Sequence, residues 1–152
     1  MFNIALYQPD IPQNTAAIIR LCSCFDTTLE IIEPCGFHID DERLKRVAMD
    51  YLDKDKIITH PSYESFLVNK KKSRIILMTT KAKKNYSDFK FKPKDTILFG
   101  RESAGVPKIV NDNSYQNLRI PLKKNARSLN IAIAAAITLS EALKQNSYFK
   151  ND

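Results

Sequence analysis

The sequence contains few of the residues that most nucleotide-binding and hydrolytic motifs require. It has three glycines, two histidines and no tryptophan among 152 residues. With so few glycines, neither a G-x-G-x-x-G fingerprint nor a G-x-x-x-x-G-K-[ST] phosphate loop is present. A G-x-S-x-G element is also missing, and carboxylates do not cluster as a magnesium site requires. Chemistry in this chain must therefore depend on arginine, asparagine, serine, glutamate and main-chain groups.

Cysteine is also scarce, which bears on redox state and metal binding. Cys22, Cys24 and Cys35 cannot all pair, and nothing suggests export, so we expect reduced thiols. Their spacing with His38 matches no zinc-ligand pattern; we interpret the cysteines as buried structural thiols and expect no metal. The N-terminus lacks signal-peptide features, and the longest apolar run, "IAIAAAI" (131–137), is too short to cross a bilayer. We expect a cytoplasmic protein without membrane contact.

Short β-rich runs alternate with helical patterns along the chain. This alternation predicts an α/β fold, a mostly parallel sheet with helices on both faces, in a single domain spanning residues 1–152. Asn14 is expected to cap the first helix, and ligands of such sheets bind beyond the carboxyl ends of the strands. The predicted strands are 3–7, 28–33, 56–60, 74–80, 95–100 and 118–122; the predicted helices are 14–25, 40–52, 62–70 and 128–145.

The last predicted helix is apolar on all sides from Leu129 to Leu139. A helix without a polar face must be covered on both sides. In a chain of this size, a second subunit is one cover, and burial within the chain is the other. We expect a homodimer.

Basic residues are unevenly distributed in a chain of net charge +7. Ten of the 24 lie between Lys70 and Lys94, with Tyr86, Phe89 and Phe91 among them. Such a run is either a solvated face or a surface that neutralises RNA phosphates while its aromatic rings stack on bases. The second interpretation makes this segment, Lys70–Lys72 included, a candidate RNA surface.

Three segments carry a family resemblance. "NTAAIIRL" (14–21), "FGRESAGVP" (99–107) and "LRIPLKKNARSLNIAIAAAI" (118–137) resemble the three motifs of the SpoU/TrmH-type branch of the SPOUT methyltransferases. The similarity covers essentially the whole chain and is greatest to the TrmL type, small tRNA 2'-O-methyltransferases without an appended RNA-binding domain. "IIEP" (31–34) and "MDY" (49–51) add to it, whereas the alanines at 16, 17 and 132 depart from the family pattern.

The resemblance implies a fold, a cofactor and a reaction. It implies a C-terminal trefoil knot, which general topology rules would not predict, and a homodimer that completes each active site. It implies S-adenosylmethionine as methyl donor, no metal, and a tRNA anticodon stem-loop as partner, methylated on the ribose 2'-hydroxyl of wobble nucleotide 34. Two alternatives stay open: another tRNA or rRNA position, and a non-catalytic RNA-binding module of the same fold.

The same resemblance assigns residues to the site. Arg20 corresponds to the catalytic arginine; because arginine stays protonated, we expect it to bind a phosphate and stabilise the forming alkoxide rather than act as a base. Glu102 either orients Arg20 or caps a main-chain amide, and Ser128 either caps the last helix or contacts the ligand. The predicted catalytic residues are Arg20, Asn14, Glu102 and Asn130, and the predicted cofactor-binding residues are Met78, Gly100, Ile120, Leu122, Ser128 and Leu129.

Overall fold

Seven parallel strands form one sheet in the computed structural model, which describes residues 1–38, 40–48, 51 and 56–148. Their order across the sheet is β3-β2-β1-β6-β4-β7-β5. The predicted parallel α/β fold is confirmed. The strands are β1 (Asn3–Tyr7), β2 (Thr28–Ile32), β3 (Ile57–His60), β4 (Ile75–Met78), β5 (Lys84–Asn85), β6 (Thr96–Phe99) and β7 (Gln116–Arg119).

Among the described residues, five α-helices cover the two faces of this sheet. On one face, α1, α2 and α5 pack on a core that includes Ile4, Ile97 and Leu139; on the other, α3 and α4 pack through Phe66 and Val110. Parallel strands buried on both faces are read as continuous apolar runs, as in "IILM" of β4 and "TILF" of β6, which are wholly buried. The helices are α1 (Pro12–Cys24), α2 (Glu42–Ala48), α3 (Tyr63–Asn69), α4 (Lys108–Asn113) and α5 (Ile131–Gln145).

Most predicted elements are present, with shifted ends. The first helix begins at Pro12 rather than 14, so the prediction that Asn14 caps it is wrong; Ile11 precedes it without a side-chain cap. The last strand runs over 116–119 rather than 118–122. The predicted helix 40–52 is described over Glu42–Ala48, and Met49 and Asp50 of "MDY" lie outside the described residues.

Two short elements were not predicted. Helix α4 buries one residue, Val110, and strand β5 has two residues, so neither carries a periodic apolar pattern. No helix among the described residues is long and apolar enough to span a membrane. Because every strand pairing is parallel, the carboxyl ends of all seven strands meet at one edge, which we call the carboxyl edge, and the opposite one the amino edge.

Candidate active site

Three of the predicted cofactor-binding residues lie on neighbouring strands at the carboxyl edge. Met78 ends β4 and pairs with Phe99 of β6 on one side and Leu118 of β7 on the other. Gly100 follows Phe99 directly, and Ile120 follows β7. Adjacent strands are about 4.8 Å apart, so Gly100 and Ile120 flank Met78 at close range. The fold thus brings these three positions together.

The other three predicted cofactor-binding residues lie in the segment between β7 and α5. Leu122 and Leu129 are half-buried and Ser128 is exposed. Helix α5 begins at Ile131, and its cap is Asn130, whose Oδ1 accepts from the amide of Ala132 at 2.8 Å. The alternative that Ser128 caps this helix is therefore wrong.

The "FGRESAGVP" segment folds into a tight turn that accounts for its glycines. The amide of Arg101 donates to the carbonyl of Gly105 at 2.9 Å, and the reverse bond has the same length. A Cβ on Gly100 would lie 2.7 Å from the Gly105 carbonyl carbon, and Gly105 has φ +64°. Gly100 thus requires glycine because the turn's own main chain closes on it, and Gly105 favours glycine because of its left-handed backbone conformation.

Asp10 anchors this turn from the loop between β1 and α1. Its carboxylate accepts from the Arg101 guanidinium at 2.6 Å and from the Ser103 hydroxyl at 2.6 Å. The hydrogen bond from Arg101 first, and that from Ser103 next, lower the pKa of Asp10 to about 2. Asp10, Arg101 and Ser103 were not predicted as site residues. Arg101 and Ser103 lie inside the second motif, whereas no sequence pattern pointed to Asp10.

Glu102 and two asparagines connect the turn to helices α1 and α5. One Glu102 oxygen accepts from the Asp10 amide at 2.8 Å, and the other from Asn14 Nδ2 at 3.5 Å. The side-chain Nδ2 of Asn130 donates in turn to Asn14 Oδ1 at 2.9 Å. Glu102, Asn14 and Asn130, three of the four predicted catalytic residues, thus form one hydrogen-bonded chain. Of the two roles considered for Glu102, the structure shows the capping of a main-chain amide.

Arg20 lies apart from that chain. It is exposed on α1, and its guanidinium carbon sits 4.8 Å from the ring centroid of Tyr51, a cation–π distance. Within the described residues, no hydrogen bond or ion pair joins Arg20 to Glu102. One turn before Arg20 on the same helix, Ala16 is buried in the core and Ala17 is half-buried.

Known proteins are similar to this chain in sequence and in fold. The model of the SpoU rRNA Methylase family matches residues 1–140. The chain belongs to this family. A tRNA (cytidine(34)-2'-O)-methyltransferase of Beijerinckia indica is 46% identical over 144 residues, covering 93% of this chain and 90% of that protein. The family predicted from the three motifs is confirmed.

Solved structures of SpoU-type proteins superpose on the chain. One, described as "Structural insights into the 2-OH methylation of C/U34 on tRNA", has a TM-score of 0.92 and 32% identity and covers 97% of both chains. An AdoMet-bound rRNA methyltransferase from Sinorhizobium meliloti has a TM-score of 0.85 over 94% of this chain and 56% of its own; at 24% identity it shows the shared fold.

Two sequence-based expectations about this SpoU-family chain need correction. Phe89 and Phe91 are 6% and 4% exposed and belong to the core, so neither ring can stack on an RNA base. Cys22 is buried, and burial raises its thiol pKa to about 12, but Cys24 is exposed and is not a structural core thiol. No group of three or more His, Cys, Asp or Glu side chains suited to a metal occurs among the described residues.

Proposed function

We propose that the protein transfers a methyl group from S-adenosylmethionine to the ribose 2'-hydroxyl of wobble nucleotide 34 in a tRNA anticodon loop. The convergence of Met78, Gly100 and Ile120 at adjacent strand ends carries the proposal. Membership of the SpoU family and the relatives named for cytidine-34 methylation support it. The proposal takes residues 1–152 as one methyltransferase domain, with the C-terminal knot that the family resemblance predicts.

The residues at the carboxyl edge suit this cofactor. An adenosine with a sulfonium side chain needs apolar walls and main-chain groups more than charged ligands. Half-buried Ile120, Leu122 and Leu129 supply aliphatic surface, and the main chain at Met78 and Gly100 lies at strand ends. When bound, the sulfonium supplies an activated methyl group that needs no metal. The cofactor would be held by Met78, Gly100, Ile120, Leu122, Ser128 and Leu129.

The chain's own side chains would position the acceptor. The Glu102–Asn14–Asn130 hydrogen-bonded chain fixes the second-motif turn against α1 and α5. Positioning of the acceptor ribose by this fixed turn can supply much of the rate acceleration of methyl transfer. Arg20, held over Tyr51, would bind the phosphate next to the reacting ribose and stabilise the forming alkoxide. Arginine stays protonated, so the proton leaves to another acceptor.

We further propose a cytoplasmic homodimer joined through α5. This helix buries Ala135, Leu139 and Leu143 against its own chain, yet Ile133 remains 52% exposed. A second subunit would cover that apolar side and could bring its own Arg20 to the opposite cofactor site. Light scattering of the purified protein measures the dimer mass directly.

Two measurements test the proposed activity. Calorimetry with S-adenosylhomocysteine should give binding in the micromolar range, about −8 kcal/mol, and methyl incorporation should map to nucleotide 34 of tRNA. Arg20→Ala should reduce transfer about 100- to 1,000-fold with S-adenosylhomocysteine binding nearly unchanged, because the lost group acts on the acceptor.

The same measurements separate the alternatives. Methylation that maps to another tRNA or rRNA position would change the proposed target nucleotide, while the assignment as a 2'-O-methyltransferase would stand. Absence of both binding heat and a thermal shift would instead favour a non-catalytic RNA-binding module. A fully active Arg20→Ala protein would make Arg20 structural.

A further inference from the structure

The basic run between Lys70 and Lys94 is divided by strand β4 into parts at opposite edges of the sheet. Lys70–Arg74 precede Ile75, the first residue of β4, and Lys81–Lys84 follow Met78, its last. The strand has four residues, so about 13 Å of extended chain separates the two parts. Lys90–Lys94 precede β6, which is parallel to β4, and therefore return to the amino edge.

At the amino edge the basic segments are engaged with each other and with buried acids. Lys70 pairs with buried Glu30, and Arg74 donates to buried Asp95 at 2.6 Å. The Arg74 guanidinium also donates to the Lys90 carbonyl at 3.0 Å, which ties the two segments together. Two of these cations thus serve the fold, and the edge faces away from the strand ends of the candidate active site.

At the carboxyl edge Arg101 pairs with Asp10, but the basic residues after β4 and at the end of β7 are free of such pairing in the described part of the chain. The turn after β4 is fixed by the Lys81 amide donating to Thr79 Oγ1 at 3.3 Å, and β5 pairs with the end of β7. Seven exposed cations result, and none forms an ion pair within the part of the chain that the structure describes. We call them the carboxyl-edge cluster: Lys81, Lys83, Lys84, Arg119, Lys123, Lys124 and Arg127.

We propose that the carboxyl-edge cluster is the surface that binds the phosphate backbone of the substrate RNA. The proposal rests on the proposed function, because a ribose can be methylated only where its flanking phosphates reach the edge that holds the methyl donor. Met78, Gly100 and Ile120 lie at this same edge. Of the RNA surface expected from sequence over residues 70–94, the proposal keeps Lys81, Lys83 and Lys84 and leaves out Lys70–Lys72, which lie at the opposite end of β4.

The chemistry of the cluster indicates a backbone contact rather than base recognition. Of the three aromatic residues expected to stack on bases, Phe89 and Phe91 are buried in the core and Tyr86 is half-buried. Within the cluster, Lys84 Nζ lies 5.4 Å from the ring centroid of Phe89, a cation–π distance. Lysine and arginine side chains neutralise phosphates without regard to base sequence. Their binding weakens as the salt concentration rises, because the release of counterions from the RNA then gains less entropy.

Two triple variants with equal loss of charge test the proposal. Lys81→Gln, Lys83→Gln and Lys84→Gln together alter the carboxyl edge; Lys90→Gln, Lys92→Gln and Lys94→Gln alter the amino edge of the same segment. Affinity for unmodified tRNA is measured across a salt series, with S-adenosylhomocysteine binding and thermal unfolding to check the fold. The first variant should bind about tenfold or more weakly, and its salt slope should fall by about 2.

The amino-edge variant should bind tRNA within about twofold of the wild type, with an unchanged salt slope. Equal weakening in both variants, or none in the carboxyl-edge variant, would overturn the proposed surface while wild-type methylation of tRNA upheld the proposed function. If the wild type neither binds nor methylates tRNA, the proposed function fails, and the surface proposal fails with it. A third variant, Lys123→Gln with Lys124→Gln, should weaken tRNA binding in the same direction and leaves Lys84 unchanged, so it separates lost RNA contact from a folding defect at Lys84.

Discussion

The two edges of the sheet use their polar residues differently. At the amino edge, charged side chains pair in the interior: Asp95, 2% exposed, receives two bonds from Arg74 and one from the Lys92 amide. At the carboxyl edge, Asp10 and Glu102 link loops to one another, Arg101 pairs with Asp10, and the cations of the carboxyl-edge cluster stay in solvent. One edge therefore contributes mainly to stability, and the other is available for ligands.

Removal of the Asp95 carboxylate should have the largest effect on stability. Asp95→Ala leaves the Arg74 guanidinium and the Lys92 amide without their acceptor, so we expect the free energy of unfolding to fall by about 3 kcal/mol. Asp88→Ala in the same segment, where the carboxylate is exposed, should change it by less than about 0.5 kcal/mol. Urea denaturation gives both values. A small effect of Asp95→Ala would mean that the amino edge is not the stabilising one.

Loss of Glu102 should act on ligand binding more than on stability. Glu102→Ala frees the Asp10 amide and the Asn14 side chain in a partly exposed site, at a cost of about 1 kcal/mol in unfolding free energy. Because the turn then loses its link to α1, we expect S-adenosylhomocysteine affinity to fall about tenfold by calorimetry. Glu102→Gln, which keeps an acceptor oxygen, should lie between; unchanged affinity in both variants would separate Glu102 from the site.

The Asp10 carboxylate should give the smallest effect, and one that depends on pH. Its folded pKa of about 2 lies below the ordinary value of 3.8, so its contribution is present above about pH 4 and is lost as pH falls toward 2. Asp10→Asn should cost at most about 1 kcal/mol at pH 7, since the Arg101 partner is partly solvated. Urea denaturation from pH 7 to pH 2 should show the difference from wild type vanishing; a constant difference would contradict it.

The fold was predictable because its strands are short apolar runs of β-branched residues between helical patterns. The predictions that failed concerned the residues that begin and cap the helices. Ser128 and Asn130 both suit an N-cap and lie two residues apart, so residue type alone does not choose between them; in the structure Asn130 caps α5. Proline tolerates the first helical turn, which let α1 begin at Pro12 and released the Asn14 side chain for Glu102.

The candidate site was predictable as a set of motifs but not as a network. Nothing in the sequence pairs Glu102 with the amide of Asp10, 92 positions away. Nor could the sequence show that Phe89 and Phe91 point inward, because aromatic residues among lysines suit a core as well as a base-stacking surface. Contacts between distant segments depend on strand order, which local patterns leave open.

The close approach of Gly100 to Gly105 has a consequence for saturation mutagenesis. Every side chain introduced at residue 100 would collide with main-chain atoms of the same turn, whether or not a methyl donor is present. A scan would therefore record intolerance there from backbone crowding alone. The proposed donor contacts Ile120, Leu122 and Leu129 lie outside that turn, so intolerance at those positions would not arise from this crowding.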